Sequence, residues 1–265
     1  ISTIGRYRWR ICAVLFLATT VNYIDRNVLS FTMIDEAFRK EMLGLPATAV
    51  LTDADTGRFK ELMGYVDAAF KIAYALGFLL AGYLVDRLGT KKGYAISLTV
   101  WSIAGVLNGF VGSIRGLSIT RFILGIGESG NFPSAVKAVA EWFPKKERSL
   151  AAGLFNAGAN IGVIATAIAV PYLTINYGWR MAFIATGMLG FLVLLLWWFN
   201  YEKPEEHKQV SAEELAYIQQ DDIADSKLTG FVPETSSKVS LAKCLTYKQT
   251  WAFAFGKFMT DGVWW

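Results

Sequence analysis

Charge is scarce in this chain. Of its 265 residues only 18% are Asp, Glu, Lys or Arg, against about a quarter in an ordinary soluble domain. With 54% of the residues hydrophobic, one soluble core could not hide the apolar surface behind so few charges, and a bilayer is the solvent that tolerates it. Cysteine is nearly absent: Cys12 lies in an apolar run and Cys244 in a polar stretch, so no disulfide is expected and the spacing fits no metal site. The one histidine, His207, falls in a polar segment where solvent is expected around it, which leaves no histidine inside the apolar runs to move protons. The net charge of +4 is modest and its basic residues are scattered between apolar runs, which argues against the contiguous basic face of a nucleic-acid binder. No cleavable signal peptide is visible. No nucleophile–base or metal constellation appears in the apolar segments, so neither an enzyme nor a cofactor is expected. The chain starts at Ile1 and stops at Trp265 inside an apolar run; the expectation is a fragment of a longer protein.

What is present is a series of long apolar runs. No Asp, Glu, Lys or Arg occurs between Lys92 and Arg115, between Arg148 and Arg180, or between Arg180 and Glu202, and a membrane-spanning helix needs about 20 mostly apolar residues. The pattern predicts an all-α membrane protein with six spans, at Trp9 to Ile34, Met63 to Val85, Gly93 to Ile114, Leu117 to Trp142, Ser149 to Thr174 and Met181 to Asn200, and a seventh opening near Thr250. Residues 1–200 would form the bundle, 201–249 a linker between two bundles, and 250–265 the start of the seventh helix. Within the linker, Pro204 ends the sixth helix, and Ser211 followed by Glu214 reads as a capping box opening a short helix, Ala212 to Gln220. Trp9, Trp142, Trp179, Trp197 and Trp198 fall near span ends, as an interfacial belt does. Lys and Arg in the loops set orientation. The side with the amino terminus and the linker carries fifteen of them and the other side six, so both are expected to be cytoplasmic, in a multi-pass protein of the inner (plasma) membrane.

The informative residues are charges where charges are expensive, since an ion at mid-bilayer costs about 2.5–3.5 kcal/mol on insertion scales. In the first span Tyr23 and Arg26 share a face, Asp25 points roughly 100° away, and Asn22 and Asn27 extend the polar belt. A guanidinium at that depth can anchor an anion through two hydrogen bonds; the alternative is a buried Asp–Arg structural pair. In the fourth span Arg121 and Glu128 stand two turns apart on one face, too far to pair along one helix, with Gly125, Gly127, Gly130 and Pro133 permitting close approach or a bend. A carboxylate facing a partly dry cavity can accept a proton near neutral pH, while Arg121 could instead snorkel outward. In the second span Asp67, Lys71 and Tyr74 line one face, and Asp67 and Lys71 either neutralise each other or line a pathway. In the fifth span Gly158 and Gly162 suggest helix packing, and Asn156 and Asn160 could hydrogen-bond a hydroxylated ligand or a neighbouring helix. If protons are involved, Asp25 and Glu128 are the candidates.

The stretch from Gly82 through Asp86, Arg87 and Gly89 to Lys92 resembles the loop signature of the major facilitator superfamily, between its second and third helices. Asn22-Tyr23-Ile24-Asp25-Arg26, Arg121 to Glu128 with Gly130 to Pro133, Glu141 to Pro144 with Glu147-Arg148, Gly153 through Gly162, and Gly178-Trp179-Arg180 resemble, more narrowly, the anion:cation symporter family in its hexuronate and galactonate branch. The resemblance implies a twelve-helix carrier in which Tyr23, Arg26, Tyr74 and Arg121 hold a substrate's carboxylate and hydroxyls. It also implies that Asp25 and Glu128 are the protonatable pair, and that Asp86 and Arg87, in the Gly82–Gly89 loop, gate the rocking of two bundles. Asn160 or Asn156 would replace a polar amide that relatives often carry where Ala159 stands, and Lys71 is an unusual charge for its helix. The antiporters' glycine–proline signature is not evident on the fifth helix, which favours symport. The expected partners are the lipid bilayer, a small organic anion such as a hexuronate or aldonate, and a coupling cation, a proton first and sodium as the alternative, with alternating access as the mechanism. A non-transporting membrane sensor is the rival from another class.

Overall fold

The structure is a computed structural model that describes residues 5–221 and 246–264. The chain divides into two compact units, Ile1–Gln220 and Asp221–Trp265. The first holds α1 (Tyr7–Thr32), α2 (Glu36–Leu43), α3 (Asp53–Leu88), α4 (Thr90–Asn108), α5 (Ile114–Glu128), α6 (Asn131–Trp142), α7 (Lys145–Tyr177), α8 (Trp179–Asn200) and α9 (Ala212–Ile218). The second holds α10 (Lys248–Trp264), where the seventh span is expected. About half of the predicted linker, residues 222–245, lies outside the described residues; Tyr201, Val210 and Ile218 pack with the core of the first unit.

Local chemistry explains where the helices depart from the predicted spans. α3 begins ten residues earlier than Met63, because Thr52 and Asp55 form a capping box: the Thr52 hydroxyl accepts from the Asp55 N–H at 3.2 Å and the Asp55 carboxylate accepts from the Thr52 N–H at 3.0 Å. α2 was not expected. Asp35 caps its start by accepting from the Phe38 N–H at 2.8 Å, and Gly44, at φ 71°, ends it in the left-handed conformation that favours glycine. The fourth span is two helices rather than one, broken at Ser129–Gly130. Pro133 has no N–H to continue the ladder, and Gly130 lies so close to α4 that an added Cβ would stand 2.0 Å from the Ser97 hydroxyl. α9 ends at Ile218 rather than Gln220. Its Ser211 accepts from the Glu214 N–H as expected, but the Glu214 side chain is engaged elsewhere, as described below.

Among the described residues, three helices, α3, α7 and α8, are long and apolar enough to cross a membrane by length and composition alone. Their exposed faces carry Leu76, Leu79, Leu80, Ile164, Ile168, Leu192 and Phe199. The helices pack as α1 on α7, α3 on α5 and α4 on α8, so each pair takes one helix from the first three spans and one from the last three. Gly89 (φ 83°, ψ 159°) joins α3 to α4 and Gly178 (φ 84°, ψ 158°) joins α7 to α8. That shared conformation is open to glycine and strained for other residues. On α7, an added Cβ at Gly158 would lie 2.6 Å from the Phe16 carbonyl and one at Gly162 2.5 Å from the Thr20 carbonyl, so this small-residue stripe lets the backbones of α1 and α7 touch.

The tryptophans correct the interfacial-belt expectation. Trp142 and Trp197 are fully buried and Trp179 nearly so, while Trp198 is exposed. Trp142 and Trp197 sit at helix ends because their indole N–H groups donate to backbone carbonyls, those of Glu202 just after α8 (3.1 Å) and Lys91 in the first turn of α4 (3.0 Å). His207 is also not freely solvated: it is half-buried, its ring 4.2 Å from that of Tyr7 and 5.7 Å from that of Trp142.

Candidate functional site

Close helix contacts build the middle of the bundle. On α5, an added Cβ at Gly125 would lie 2.6 Å from the Phe70 carbonyl, and one at Gly127 2.5 Å from the Trp101 nitrogen. α5 therefore nearly touches α3 on one side and α4 on the other, which brings Tyr74 and Trp101 to the charges of α1. At Gly105 of α4 an added Cβ would meet the Gly187 Cα of α8 at 3.1 Å and the Asp25 carboxylate at 3.9 Å. Small residues thus admit the backbone where the polar side chains converge.

Four ionisable residues meet there. Arg26 Nε donates to Glu128 Oε2 at 3.0 Å, an ion pair whose side chains are 13% and 0% exposed. The Arg26 guanidinium lies against the rings of Tyr74 (4.6 Å), Tyr23 (5.0 Å) and Phe70 (5.6 Å), a cation held among aromatic faces. Asp25 does not pair with Arg26; its Oδ2 accepts from the indole N–H of Trp101 at 2.6 Å. Arg121 is buried rather than snorkelled. Its Nη1 donates to the Arg26 carbonyl at 3.4 Å and its guanidinium lies 5.5 Å from the Phe183 ring. It makes no ion pair with Glu128 along its own helix, as the spacing requires.

Hydrogen bonding in this cluster is incomplete. Among the described residues, Arg26 Nη2, Arg121 Nε and Nη2, Asp25 Oδ1, Glu128 Oε1 and both amide atoms of Asn22 are buried without a partner. Each such group costs about 1–3 kcal/mol, and native proteins keep few without a reason. Donors of two guanidiniums and acceptors of two carboxylates, left open side by side, are what a site for an anion and a proton requires.

The remaining sequence candidates lie apart from this cluster. Lys71 pairs with Asp67 at 2.8 Å, with both side chains more than half exposed. Asn156 and Asn160 are on an exposed face of α7, and Asn156 donates back to the Ala152 carbonyl. In the Gly82–Gly89 loop, Asp86 accepts from Lys137 at 2.6 Å, Lys137 also donates to the Val85 carbonyl at the end of α3, and Arg87 donates to the Tyr83 hydroxyl. Gly89 has the positive φ noted above, whereas a Cβ at Gly82 would meet nothing within 4 Å. Sequence reasoning missed Trp101 and Phe70. Trp101 carried a signal, since an indole N–H in mid-span needs an acceptor; Phe70 carried none beyond its place one turn before Tyr74.

Comparison with known proteins agrees with this architecture. The chain is 31% identical over 257 residues to the hexuronate transporter of Escherichia coli (strain K12), covering 97% of this chain and 55% of that protein. It is 35% identical over 219 residues to the probable galactarate/D-glucarate transporter GudP of Bacillus subtilis (strain 168), covering 80% of this chain and 45% of that protein. The chain therefore spans about half the length of the curated relatives it matches. Among solved structures, the xylose transporter XylE from E. coli in a partially occluded inward open conformation superposes with a TM-score of 0.60 at 21% identity, covering 86% of this chain and 58% of that one, a likeness of fold. The family model described as Major Facilitator Superfamily matches residues 15–265, which include the larger part of α1 and every helix after it, and the chain belongs to the Major Facilitator Superfamily.

Proposed function

We propose that this bundle is part of a secondary transporter of the inner membrane, its amino terminus cytoplasmic, that carries a sugar-acid anion such as a hexuronate or aldonate in symport with protons by alternating access. One observation carries the reading: the buried Arg26–Glu128 pair, with Arg121 and Asp25 beside it holding unused hydrogen-bonding atoms. A substrate carboxylate competes with Glu128 for the fork of Arg26. A proton on Glu128 removes that competitor and frees the guanidinium, so proton and anion enter together and neither is favoured alone. Arg121, which has no carboxylate partner of its own among the described residues, takes the second edge of the anion, and the aromatic faces of Tyr23 and Tyr74 bound the space around Arg26. The similarity to sugar-acid transporters named above supports the class of cargo.

The test uses the whole transporter in proteoliposomes with labelled hexuronates and aldonates, under a proton gradient, a sodium gradient, or neither. The wild type is expected to accumulate substrate with the proton gradient alone. Glu128→Gln is expected to lose about tenfold or more of that accumulation while still exchanging labelled for unlabelled substrate. Accumulation driven by sodium alone overturns proton coupling, and binding without accumulation under any gradient overturns transport in favour of a sensor.

A further inference from the structure

Asn22 is fully buried, and neither of its amide atoms has a hydrogen-bond partner among the described residues. An amide left so would forfeit about 1–3 kcal/mol at each atom, and it lies where water has polar company. On α1, Thr19, Asn22 and Asp25 follow at three-residue spacing and share a face. Contacts to other helices fix both ends of that row: Asn131 of α6 donates to the Thr19 hydroxyl (3.4 Å) and accepts from the Tyr94 hydroxyl, while Trp101 of α4 donates to Asp25. Asn22 is enclosed between those two levels, at the height where the fourth span breaks between Glu128 and Asn131. α6 starts there with no side-chain cap. Asp25 Oδ1 and Glu128 Oε1, both buried and unpartnered, complete the set. A buried water needs two to four polar partners, and this break supplies them.

We propose that Asn22 is a positioning residue that holds water in a buried chamber between Asp25 and Glu128, through which the coupling proton passes from one carboxylate to the other. The proposal rests on the proton-symport reading. The amide N–H donates to the water oxygen and the amide oxygen accepts one of its hydrogens, which fixes the orientation of the water. Protonated Glu128 gives its proton to the water oxygen as the other water proton moves to Asp25. One O–H bond breaks and one forms at each step, and no charge is left on the water. The charged and titratable groups around this path are Tyr23, Asp25 and Arg26 on α1, Tyr74 on α3, Tyr94 on α4, and Arg121 and Glu128 on α5. None of these is Asn22 itself, whose role is geometric.

The experiment replaces Asn22 by Leu, similar in size without hydrogen bonds, and by Ser, which keeps a donor and an acceptor. In proteoliposomes of the whole transporter, Asn22→Leu is expected to lose about tenfold or more of proton-driven uptake and to change its pH profile. Substrate exchange should persist, and Asn22→Ser should keep coupling within about threefold. Radiolytic hydroxyl labelling, which marks side chains beside bound water, gives a readout independent of transport: the fully buried Trp101 should be oxidised in the wild type and protected in Asn22→Leu. The equally buried Phe38, in the core at the opposite end, serves as the unlabelled reference. Trp101 no more reactive than Phe38, or Asn22→Leu coupling normally, overturns the proposal. If the wild type shows Trp101 labelling but no proton-driven uptake, the symport reading has failed and the relay falls with it, while the hydrated chamber stands.

Discussion

Two arginines of α1, eighteen residues apart, meet glutamates in opposite ways. Near the helix start, Arg8 uses every nitrogen of its guanidinium: Nε and Nη2 donate to Glu147 (2.9 and 3.5 Å), and Nη1 donates to the Gly5 carbonyl (2.6 Å) and to Glu214 (3.3 Å). Glu214, buried on α9, also accepts from the backbone N–H groups of Tyr7 and Arg8 at 3.2 and 3.1 Å, so a side chain 207 positions downstream caps α1. In mid-bundle, Arg26 makes one ion pair and leaves Nη2 idle, and Arg121 leaves two nitrogens idle. A saturated network has nothing left to offer a ligand and serves to hold the fold. An unsaturated one stores interaction free energy that a ligand can release. Buried charge is therefore a weaker sign of function than buried charge with open valence.

The sharpest way to break that contrast is Arg121→Ala. Removing a cation that a bound anion would complete is expected to weaken uptake about 100-fold or more, measured as the initial rate in proteoliposomes. Arg121→Lys should recover little, because an ammonium cannot reproduce the fork. Near-wild-type uptake in Arg121→Ala would place the anion elsewhere.

The sequence made much of this cluster legible, for a physical reason: lipid penalises ions, so each charge in an apolar run signals a partner or a cavity. Arg26, Arg121, Asp25 and Glu128 could be named from that argument alone, and the structure brings them together. Their pairing was not legible. Asp25 and Arg26 adjoin in sequence, yet one turns to Trp101 and the other to Glu128, because the choice depends on how closely glycines at 105, 125 and 127 admit α3, α4 and α8. The helix break at Ser129–Gly130 was visible only as a glycine and a proline close together. Glu214 shows the limit most clearly. Its place in a capping box after Ser211 reads as local chemistry, and half of that box is kept, while the carboxylate leaves its own helix to cap another. No local pattern encodes that.

Glu214→Ala should come next in size and fall on stability instead of transport. It uncaps two N–H groups of α1 and removes one acceptor from Arg8, a loss of about 2 kcal/mol. The apparent Tm of the whole transporter should drop by about 2–4 °C, while the concentration dependence of uptake stays within about twofold of wild type. If Glu214→Ala changes substrate affinity as strongly as Arg121→Ala, the saturated network is part of the site and the contrast between the two arginines fails.

The smallest effect should come from the ion pair on α2, where Lys40 Nζ lies 2.7 Å from Glu36 Oε1, four residues apart, with Glu36 two-thirds exposed. The hydrogen bond from Lys40, and next its positive charge, hold the Glu36 carboxyl below its ordinary value of 4.5. The folded state thus binds this proton more weakly than the unfolded state does. The stabilisation is complete above the ordinary value and fades as pH falls through the lower folded one. Water and salt screen such a pair, so Glu36→Gln should change the apparent Tm by less than about 1 °C near neutral pH. Even that difference should shrink toward zero as pH falls through the lowered folded value. A drop as large as that expected for Glu214→Ala would mean that an ion pair with an exposed carboxylate counts as much as a buried carboxylate capping a helix. Saturation of hydrogen bonds under burial would then no longer separate the pairs that hold this fold from those that only decorate its surface.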